Sequence, residues 1–230
     1  MNNTTELDKV KEVAKMLLHL EIRETELSPM IVSHPIFQSV FFPNKEKQIV
    51  NILEDKEGYD YVINQYERMI DKRVDYTQLI TLITKPYRLV FYKMSHMFVS
   101  KGDAGKGLKT AWQNSEGTNV TINMTLAEMK KWFKEIPREY LMTEEELKIL
   151  DDFPDVVTVY RGLQDQNAKI KALSWTWSKD TAKWFADRLC KSEGVYQAEI
   201  EKKYILACFK SEEEVICDYT KLKNIQRIIY

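Results

Sequence analysis

The fold of this chain is decided by the stretch Leu173-Ser174-Trp175-Thr176-Trp177-Ser178, in which apolar and hydroxyl side chains alternate. Successive side chains of a β-strand point to opposite faces, so the alternation predicts a strand with one apolar face and one face of short hydroxyls. Solvated strand faces usually carry lysine, glutamate or arginine, and this one carries none of them. The pattern alone fits an ordinary exposed strand. The lack of charge on the polar face gives a second interpretation, in which this face is the wall of a ligand cleft.

Further strand-like segments surround this stretch in the part of the chain that follows Pro154. They are Val156–Arg161, Val195–Glu201, Tyr204–Phe209, Glu214–Asp218 and Ile225–Tyr230. An amphipathic helix, Lys179–Cys190, interrupts them. The segments are short, rich in β-branched and aromatic residues and bounded by polar residues, which predicts a mainly antiparallel sheet.

Helical spacing of apolar residues dominates the part of the chain before Pro154. The predicted helices begin after a cap at Thr5 and Asp8, cover Lys45–Asp55, Tyr59–Lys72, Asp75–Val99 (divided at Pro86) and Lys106–Ser115, and end with two capping boxes, Thr125-x-x-Glu128 and Thr143-x-x-Glu146. The glycine-rich segment Lys101–Gly107 lacks the Lys-Ser/Thr pair of a phosphate loop, so it is predicted to be an interhelical loop. Helices followed by strands predict an α+β protein, with a helical region at 1–138 and a sheet-containing core at 139–230.

The composition is that of an ordinary soluble globular protein, with 44% hydrophobic and 30% charged residues. A formal net charge of −1 excludes a global basic field that would attract nucleic acid. We expect neither a membrane span nor a secretory signal, because no apolar run is long enough and the first residues are polar. Cys190, Cys208 and Cys217 form no even disulfide set and no CxxC pair, which predicts reduced thiols in a cytoplasmic protein.

Two more segments carry residue types that suit a site. The strand at Val156 ends in Arg161-Gly162, which places a permanent cation beside a residue without a side chain. Lys210–Glu214 brings three glutamates together directly before the apolar run Val215-Ile216-Cys217. Most acidic runs are solvated turns, but a glutamate at the start of a buried strand can be held rigidly. If Glu214 starts that strand, alternation puts Glu212 on the same side as Glu214.

In this order, the motifs aromatic-Arg-Gly, Ser-x-Thr-x-Ser and Glu-x-Glu resemble the Arg-Ser-Glu class of ADP-ribosyltransferases, which includes C3-like toxins and phage-related bacterial enzymes. The resemblance covers roughly residues 140–230, and the amino-terminal helices carry no matching motif. It implies an antiparallel β-sandwich catalytic core at 139–230, with the helical region packed on it or continuous with it.

The resemblance also implies that NAD⁺ is the substrate and that no metal is needed. Arg161 would pair with the diphosphate, because a guanidinium binds phosphate oxygens in fixed geometry. The backbone of Gly162 would hold the nicotinamide amide, and Glu214 would accept a hydrogen bond from the ribose and stabilise its developing positive charge.

Further roles follow from the same resemblance. Ser174 would hydrogen-bond to Glu214 and fix its direction, while Thr176 and Ser178 would hold the strands of the cleft. Ser174 and Thr176 would thus line the NAD⁺ site together with Arg161, Gly162 and Glu214. Glu212 would face the acceptor and orient or deprotonate it.

The implied function is mono-ADP-ribosylation of a macromolecular acceptor, either a protein arginine or a nucleic-acid base. Glu-x-Glu pairs accompany arginine acceptors in protein-modifying relatives. By analogy the chain would be an intracellular toxin or phage-conflict factor, with an antitoxin protein as a further partner and no membrane partner. Two alternatives stay open: an NAD⁺ glycohydrolase, which needs Glu214 but little from Glu212, and a catalytically silent binding module with the same fold.

Overall fold

The computed structural model describes residues 3–26, 28–114, 124–163, 169–188 and 194–228. The chain forms two compact units, 1–118 and 119–230, which we call unit 1 and unit 2. The sequence-based division at 138/139 therefore differs from the division by contacts. Cys190 and the last residues of three predicted segments (Lys106–Ser115, Lys179–Cys190 and Ile225–Tyr230) lie outside the described residues.

Unit 1 begins with a helix, continues through two β-hairpins and ends in a run of helices. Its elements are α1 (Leu7–Leu18), β1 (Arg23–Thr25), β2 (Ser28–Ser33), β3 (Phe41–Pro43), β4 (Ile49–Asn51), α2 (Lys56–Asp71), α3 (Tyr76–Leu82), α4 (Arg88–Ser95) and α5 (Lys101–Gln113). The predicted helix Lys45–Asp55 is wrong. The Asn44 side chain accepts hydrogen bonds from the backbone N–H of Glu46 and Gln48, both at 3.0 Å, and so stabilises the hairpin turn between β3 and β4.

Two helix starts differ from the sequence interpretation. The Thr5 side chain contacts Asp103 and accepts a hydrogen bond from the Ser100 backbone instead of capping α1, whose N-cap is Glu6. The predicted loop Lys101–Gly107 lies inside α5, which Ser100 caps. Its last glycine has a packing reason: a Cβ on Gly107 would lie 2.2 Å from the ring of Tyr76.

Unit 2 consists of three helices followed by strands. Its elements are α6 (Leu126–Glu135), α7 (Arg138–Leu141), α8 (Glu144–Asp152), β5 (Val156–Leu163), β6 (Ser174–Thr176), α9 (Lys179–Asp187), β7 (Gly194–Glu201), β8 (Ile205–Phe209), β9 (Glu214–Cys217) and β10 (Lys223–Ile228). Both predicted capping boxes are present, at Thr125 and Thr143. All six predicted strands are present, with ends shifted by one or two residues.

The strands of unit 2 form one antiparallel sheet in the order β10-β7-β5-β6-β9-β8. The predicted α+β class is thereby confirmed. Strands β8 and β9 are buried along their whole length, and α6, α7 and α8 pack on β8. None of the helices in the described parts of the chain is long and apolar enough to cross a bilayer.

The buried imidazole of His34 stabilises the corner that follows β2 in unit 1. Its Nδ1 accepts hydrogen bonds from the backbone N–H of Ile36 and Phe37 at 3.1 and 3.0 Å, and its Nε2 lies 3.2 Å from the carbonyl oxygen of Leu20. A nitrogen that accepts two N–H groups carries no proton, so the neutral ring protonated on Nε2 fits this site. Burial lowers the pKa of His34, and the hydrogen bond to Leu20 opposes that shift only in part.

We expect the chain to lose stability as the pH falls below 6.5, the ordinary pKa of histidine. The folded-state pKa is lower than the unfolded one, so the unfolded state takes up the proton first and is favoured in acid. His34→Asn keeps an oxygen for the two N–H groups but does not titrate. The free energy of unfolding by urea should therefore change less between about pH 7.5 and about pH 5.5 in this variant than in the wild type. The difference between the two pH dependences corresponds to at most one proton. Equal slopes for both proteins would contradict this role.

Candidate functional site

The three strands that carry the sequence motifs are neighbours in the sheet. Strand β6, with the hydroxyl run, lies between β5, which carries Arg161, and β9, which begins at Glu214. Motifs that are far apart in the sequence are thus held on adjacent strands, with β6 about 5 Å from β5 on one side and from β9 on the other. Neighbouring positions in a sheet are rigid, which suits a site that must hold charged groups in fixed geometry.

The register of the three strands puts Tyr160, Thr176 and Glu214 in one row across the sheet. Ser174 lies opposite Ile216, two residues farther along. Directly opposite side chains have Cβ atoms about 5 Å apart, whereas diagonal pairs are about 7 to 8 Å apart. Thr176 is therefore the residue of β6 whose position is nearest to Glu214. The resemblance assigned this position to Ser174. The predicted hydrogen bond from Ser174 to Glu214 stays a prediction.

Arg161 lies where β5 and β6 separate. Within the described residues, Tyr160 with Thr176 is the one register pair between these strands. Beyond it, β5 continues along β7 to Leu163 and β6 continues along β9 to Ser174. Nη1 of Arg161 donates a hydrogen bond to the backbone oxygen of Ser174 and so bridges the two strands at the point where their pairing stops.

The Arg161 side chain is half-buried and carries a cation with unused hydrogen-bonding capacity. Burial lowers its pKa to about 10, and the charge of Glu214 opposes that shift. Arg161 therefore stays charged at neutral pH, with Glu214 close enough to stabilise it. Its Nε is buried and has no hydrogen-bond partner among the residues that the structure describes. Because a guanidinium carries five N–H donors, the site suits a ligand that offers several acceptor oxygens, such as a diphosphate.

The hydroxyl face of β6 is covered rather than solvated. Thr176 is only 5% exposed, and Ser174 and Ser178 are half-buried. The Thr176 hydroxyl accepts a hydrogen bond from the backbone N–H of Ser178 at 3.1 Å, and the Ser178 hydroxyl accepts one from Thr181 at 3.3 Å as the N-cap of α9. These two hydroxyls build the corner between β6 and α9.

The apolar face of the same strand packs in the interior of unit 2. Trp175 is 1% exposed and donates a hydrogen bond from its ring N–H to the backbone oxygen of Ala172 at 3.0 Å. Trp177 is half-buried and packs edge-on against Phe153, with ring centroids 5.5 Å apart. An aromatic anchor with a satisfied polar atom holds β6 in place without contacting a ligand.

Gly162 is needed for packing between β5 and α9. A Cβ at this position would lie 2.1 Å from the backbone oxygen of Ala182 and 2.6 Å from the backbone nitrogen of Ala186. The two alanines are four residues apart, so they share the face of α9 that rests on the strand. The resemblance explained this glycine by contact with nicotinamide, and the structure gives it a second reason, the close approach of a helix backbone.

The segment before β9 separates the three glutamates. Glu214 starts the strand, as predicted, and is 8% exposed. The predicted alternation is wrong for Glu212, which is exposed and lies in a 3₁₀ turn, Lys210–Glu212, ahead of the strand. Glu213 between them adopts the left-handed conformation with φ 48°. Strand geometry therefore does not relate the directions of Glu212 and Glu214.

The far end of β9 is anchored to α6 by Asp218, whose side chain is 1% exposed. Lys130 and Lys134 on α6 lie 3.1 and 2.8 Å from its carboxylate oxygens. Burial acts to raise the pKa of Asp218, but hydrogen bonds from Lys134, Thr220 and Lys130 outweigh it and hold the pKa well below its usual range. The buried ion pairs fix the strand that carries Glu214 at the end opposite to that residue.

The structure thus brings together Arg161, Ser174, Thr176 and Glu214 and leaves Glu212 at the surface. Sequence reasoning missed Thr181, whose hydroxyl donates a hydrogen bond to the Glu213 carboxylate at 2.6 Å. It treated Glu213 only as a member of an acidic run. No local pattern reveals this pair, because the two residues are 32 positions apart and meet only when α9 packs on the sheet.

Comparisons with known proteins give no relative for this chain. No protein-family model, no curated protein and no solved structure matches it.

Replacing Gly162 with alanine should destabilise unit 2 strongly, because the new methyl group meets backbone atoms that cannot rotate away. We expect a loss of about 2 to 3 kcal/mol in the free energy of unfolding, the usual cost of overpacking a tight contact. Thr158→Ala, an exposed position of the same strand, is the control and should change little. Urea unfolding measures both variants, and a Gly162→Ala protein as stable as the wild type would show that α9 does not approach the strand this closely.

Proposed function

We propose that this chain is a mono-ADP-ribosyltransferase that transfers ADP-ribose from NAD⁺ to a macromolecular acceptor, on an ADP-ribosyltransferase fold in unit 2. The observation that carries the proposal is the placement of β5, β6 and β9 side by side, with the Glu214 charge acting on the half-buried Arg161. The order of the motifs in the sequence does not by itself require their strands to be neighbours.

Arg161 is suited to bind the diphosphate of NAD⁺. It is held at one end by the backbone of Ser174, and its Nε–H has no partner among the described residues. A guanidinium that is already in place loses little entropy on binding and orients the rest of the nucleotide. The neighbouring strand wall is formed by Ser174 and Thr176, whose small side chains leave room beside the cation.

Glu214 is suited to stabilise positive charge as the bond between nicotinamide and ribose breaks. A carboxylate that is 8% exposed acts in a surrounding of low dielectric constant, where its field is stronger than in water. It lies at the first position of a strand that is buried throughout, so its backbone is held by pairing with both β6 and β8. That support limits the motion of the carboxylate.

Glu212 is suited to contact a large acceptor, because it is exposed and close in sequence to Glu214. An exposed carboxylate can orient or deprotonate an acceptor group that arrives from solvent. Transfer would then depend on Glu212, whereas hydrolysis of NAD⁺ by water would depend on it much less. The alternative function, an NAD⁺ glycohydrolase, therefore differs from a transferase in what Glu212→Ala does.

The wild-type protein should release nicotinamide from NAD⁺, and Glu214→Gln should lower kcat by about 100-fold or more, because the amide cannot stabilise developing positive charge. Arg161→Lys should weaken NAD⁺ binding, since an ammonium lacks the fork of donors. Chromatographic measurement of nicotinamide tests both. Glu201→Gln is the matched control, a carboxylate of the same sheet that pairs with the surface residues Lys203 and Lys223.

Turnover by Glu214→Gln equal to the wild type would contradict the proposal and favour a silent binding module.

The acceptor is identified by incubating the protein and labelled NAD⁺ with a cell lysate and treating portions with protease, RNase or DNase. Label that survives protease but is lost with a nuclease excludes a protein arginine. Label that stays on protein bands excludes a nucleic-acid base. Labelling unchanged by Glu212→Ala would remove the acceptor role of Glu212, and nicotinamide release without any labelling would indicate a glycohydrolase.

A further inference from the structure

The turn that delivers Glu214 is a four-residue hairpin loop, Lys210–Glu213, between β8 and β9. Phe209 and Glu214 are register partners and mark its two ends. The first three residues form a 3₁₀ turn, and the backbone N–H of Glu213 donates a hydrogen bond to the oxygen of Lys210 at 3.2 Å. The last loop residue must then reverse the chain into β9, which places Glu213 in the left-handed region at φ 48°.

Glutamate is an unfavourable choice for that position. The left-handed conformation brings Cβ against the following carbonyl and favours glycine or asparagine. Glu213 also stands between two other carboxylates, Glu212 and Glu214, so its charge adds repulsion to the turn. A residue with both disadvantages is retained where its side chain makes an interaction that glycine could not make.

The Glu213 side chain and backbone join the turn to the corner between β6 and α9. Its carboxylate accepts the hydrogen bond from the Thr181 hydroxyl at 2.6 Å, in the first turn of α9. Its backbone oxygen accepts a hydrogen bond from the N–H of Trp177 at 3.1 Å, directly after β6. Glu213 is therefore joined by two hydrogen bonds to the corner between β6 and α9.

The other end of the turn is attached to α8. The backbone N–H of Lys210 donates to the buried carboxylate of Glu146 at 3.2 Å, and the Lys210 ammonium pairs with Glu145. Glu146 is itself fixed, because its second oxygen accepts the N–H of Thr143 in the capping box. With one end held in this way, the attachment at Glu213 is the second support of the turn that leads into Glu214.

We infer that Glu213 and Thr181 are positioning residues for Glu214: the hydrogen bond between them holds the left-handed turn and thereby aims the carboxylate that follows. This role rests on the proposed function of Glu214. The pair touches neither NAD⁺ nor the acceptor in this scheme. It links α9, which is seated on Gly162 of the Arg161 strand, to the turn that starts the Glu214 strand. Helix α9 then holds both the Arg161 strand and the turn before Glu214 in place.

Two substitutions separate positioning from plain stability. Thr181→Val removes the hydroxyl with little change in shape, and Glu213→Gly removes the carboxylate while relieving the left-handed backbone. We expect each to lower kcat for NAD⁺ turnover by about 10- to 100-fold, the cost of misplacing a reacting group by an ångström or less, with little change in KM. The Tm of Glu213→Gly should stay the same or rise, because glycine prefers this conformation. A residue needed only for folding would lower Tm and kcat together.

Conservative variants and a matched control complete the experiment. Thr181→Ser keeps the donor and should restore kcat. Asn224→Gly relieves a second left-handed residue in the described part of unit 2, at φ 52° on β10, and should leave kcat unchanged. Hydrogen–deuterium exchange of the segment 208–217 should speed up in Thr181→Val and not in Asn224→Gly, which tests the attachment without using activity.

The outcomes distinguish this inference from the proposed function. An active wild type whose kcat is unchanged by both Thr181→Val and Glu213→Gly would overturn the inference and leave the function standing. Unchanged exchange in Thr181→Val would overturn it as well. A wild type that turns over no NAD⁺ would overturn both. A fall in kcat with unchanged Tm, together with rescue by Thr181→Ser, is the result that the inference predicts.

Discussion

A guanidinium partly withdrawn from water beside β6 is the constraint on which the rest of unit 2 depends. Arg161 is charged at neutral pH, and a buried charge is tolerated only when partners compensate for the lost water. The protein supplies a backbone oxygen from β6 and the charge of Glu214 from β9. Neither partner is available unless β6 lies between β5 and β9. The order of the strands thus brings both partners to Arg161.

Helix α9 keeps this arrangement in place. It approaches β5 closely because Gly162 has no side chain and Ala182 and Ala186 have small ones. Its first turn continues directly from β6 through the Ser178 cap, and Thr181 in that turn bonds to the residue before Glu214. One short helix thus contacts or directly adjoins all three strands that carry charged or hydroxyl side chains of the site. The small residues of its inner face are as important to the site as the charged ones.

The sequence was sufficient for features that depend on local physics. Short runs rich in β-branched and aromatic residues located the strands, and the capping boxes at Thr125 and Thr143 located two helices, because both signals act over a few residues. It failed at one local turn and at a helix whose packing depends on a distant contact. Asn44 redirects a helical-looking segment into a hairpin, and the ring of Tyr76 explains a glycine-rich segment that looked like a loop.

The candidate site divides in the same way. Motif order pointed to Arg161, Ser174, Thr176 and Glu214, and the sheet brings them together. Strand register is set by pairing along the whole sheet, so the sequence did not show that Thr176, rather than Ser174, stands opposite Glu214. The turn before β9 broke the expected alternation because a left-handed residue intervenes. The positions of the site residues relative to one another depend on contacts between residues far apart in the chain.

The central claim is that Arg161 and Glu214 form the two ends of one binding site for NAD⁺. The most direct measurement is a crystal structure of the Glu214→Gln protein with NAD⁺, in which loss of the carboxylate slows turnover but keeps the shape of the site. The account predicts diphosphate oxygens within hydrogen-bonding distance of the Arg161 guanidinium, and the nicotinamide ribose beside residue 214 and against the Ser174–Thr176 strand. NAD⁺ bound away from this strand junction, with Arg161 bonded to protein groups alone, would contradict it.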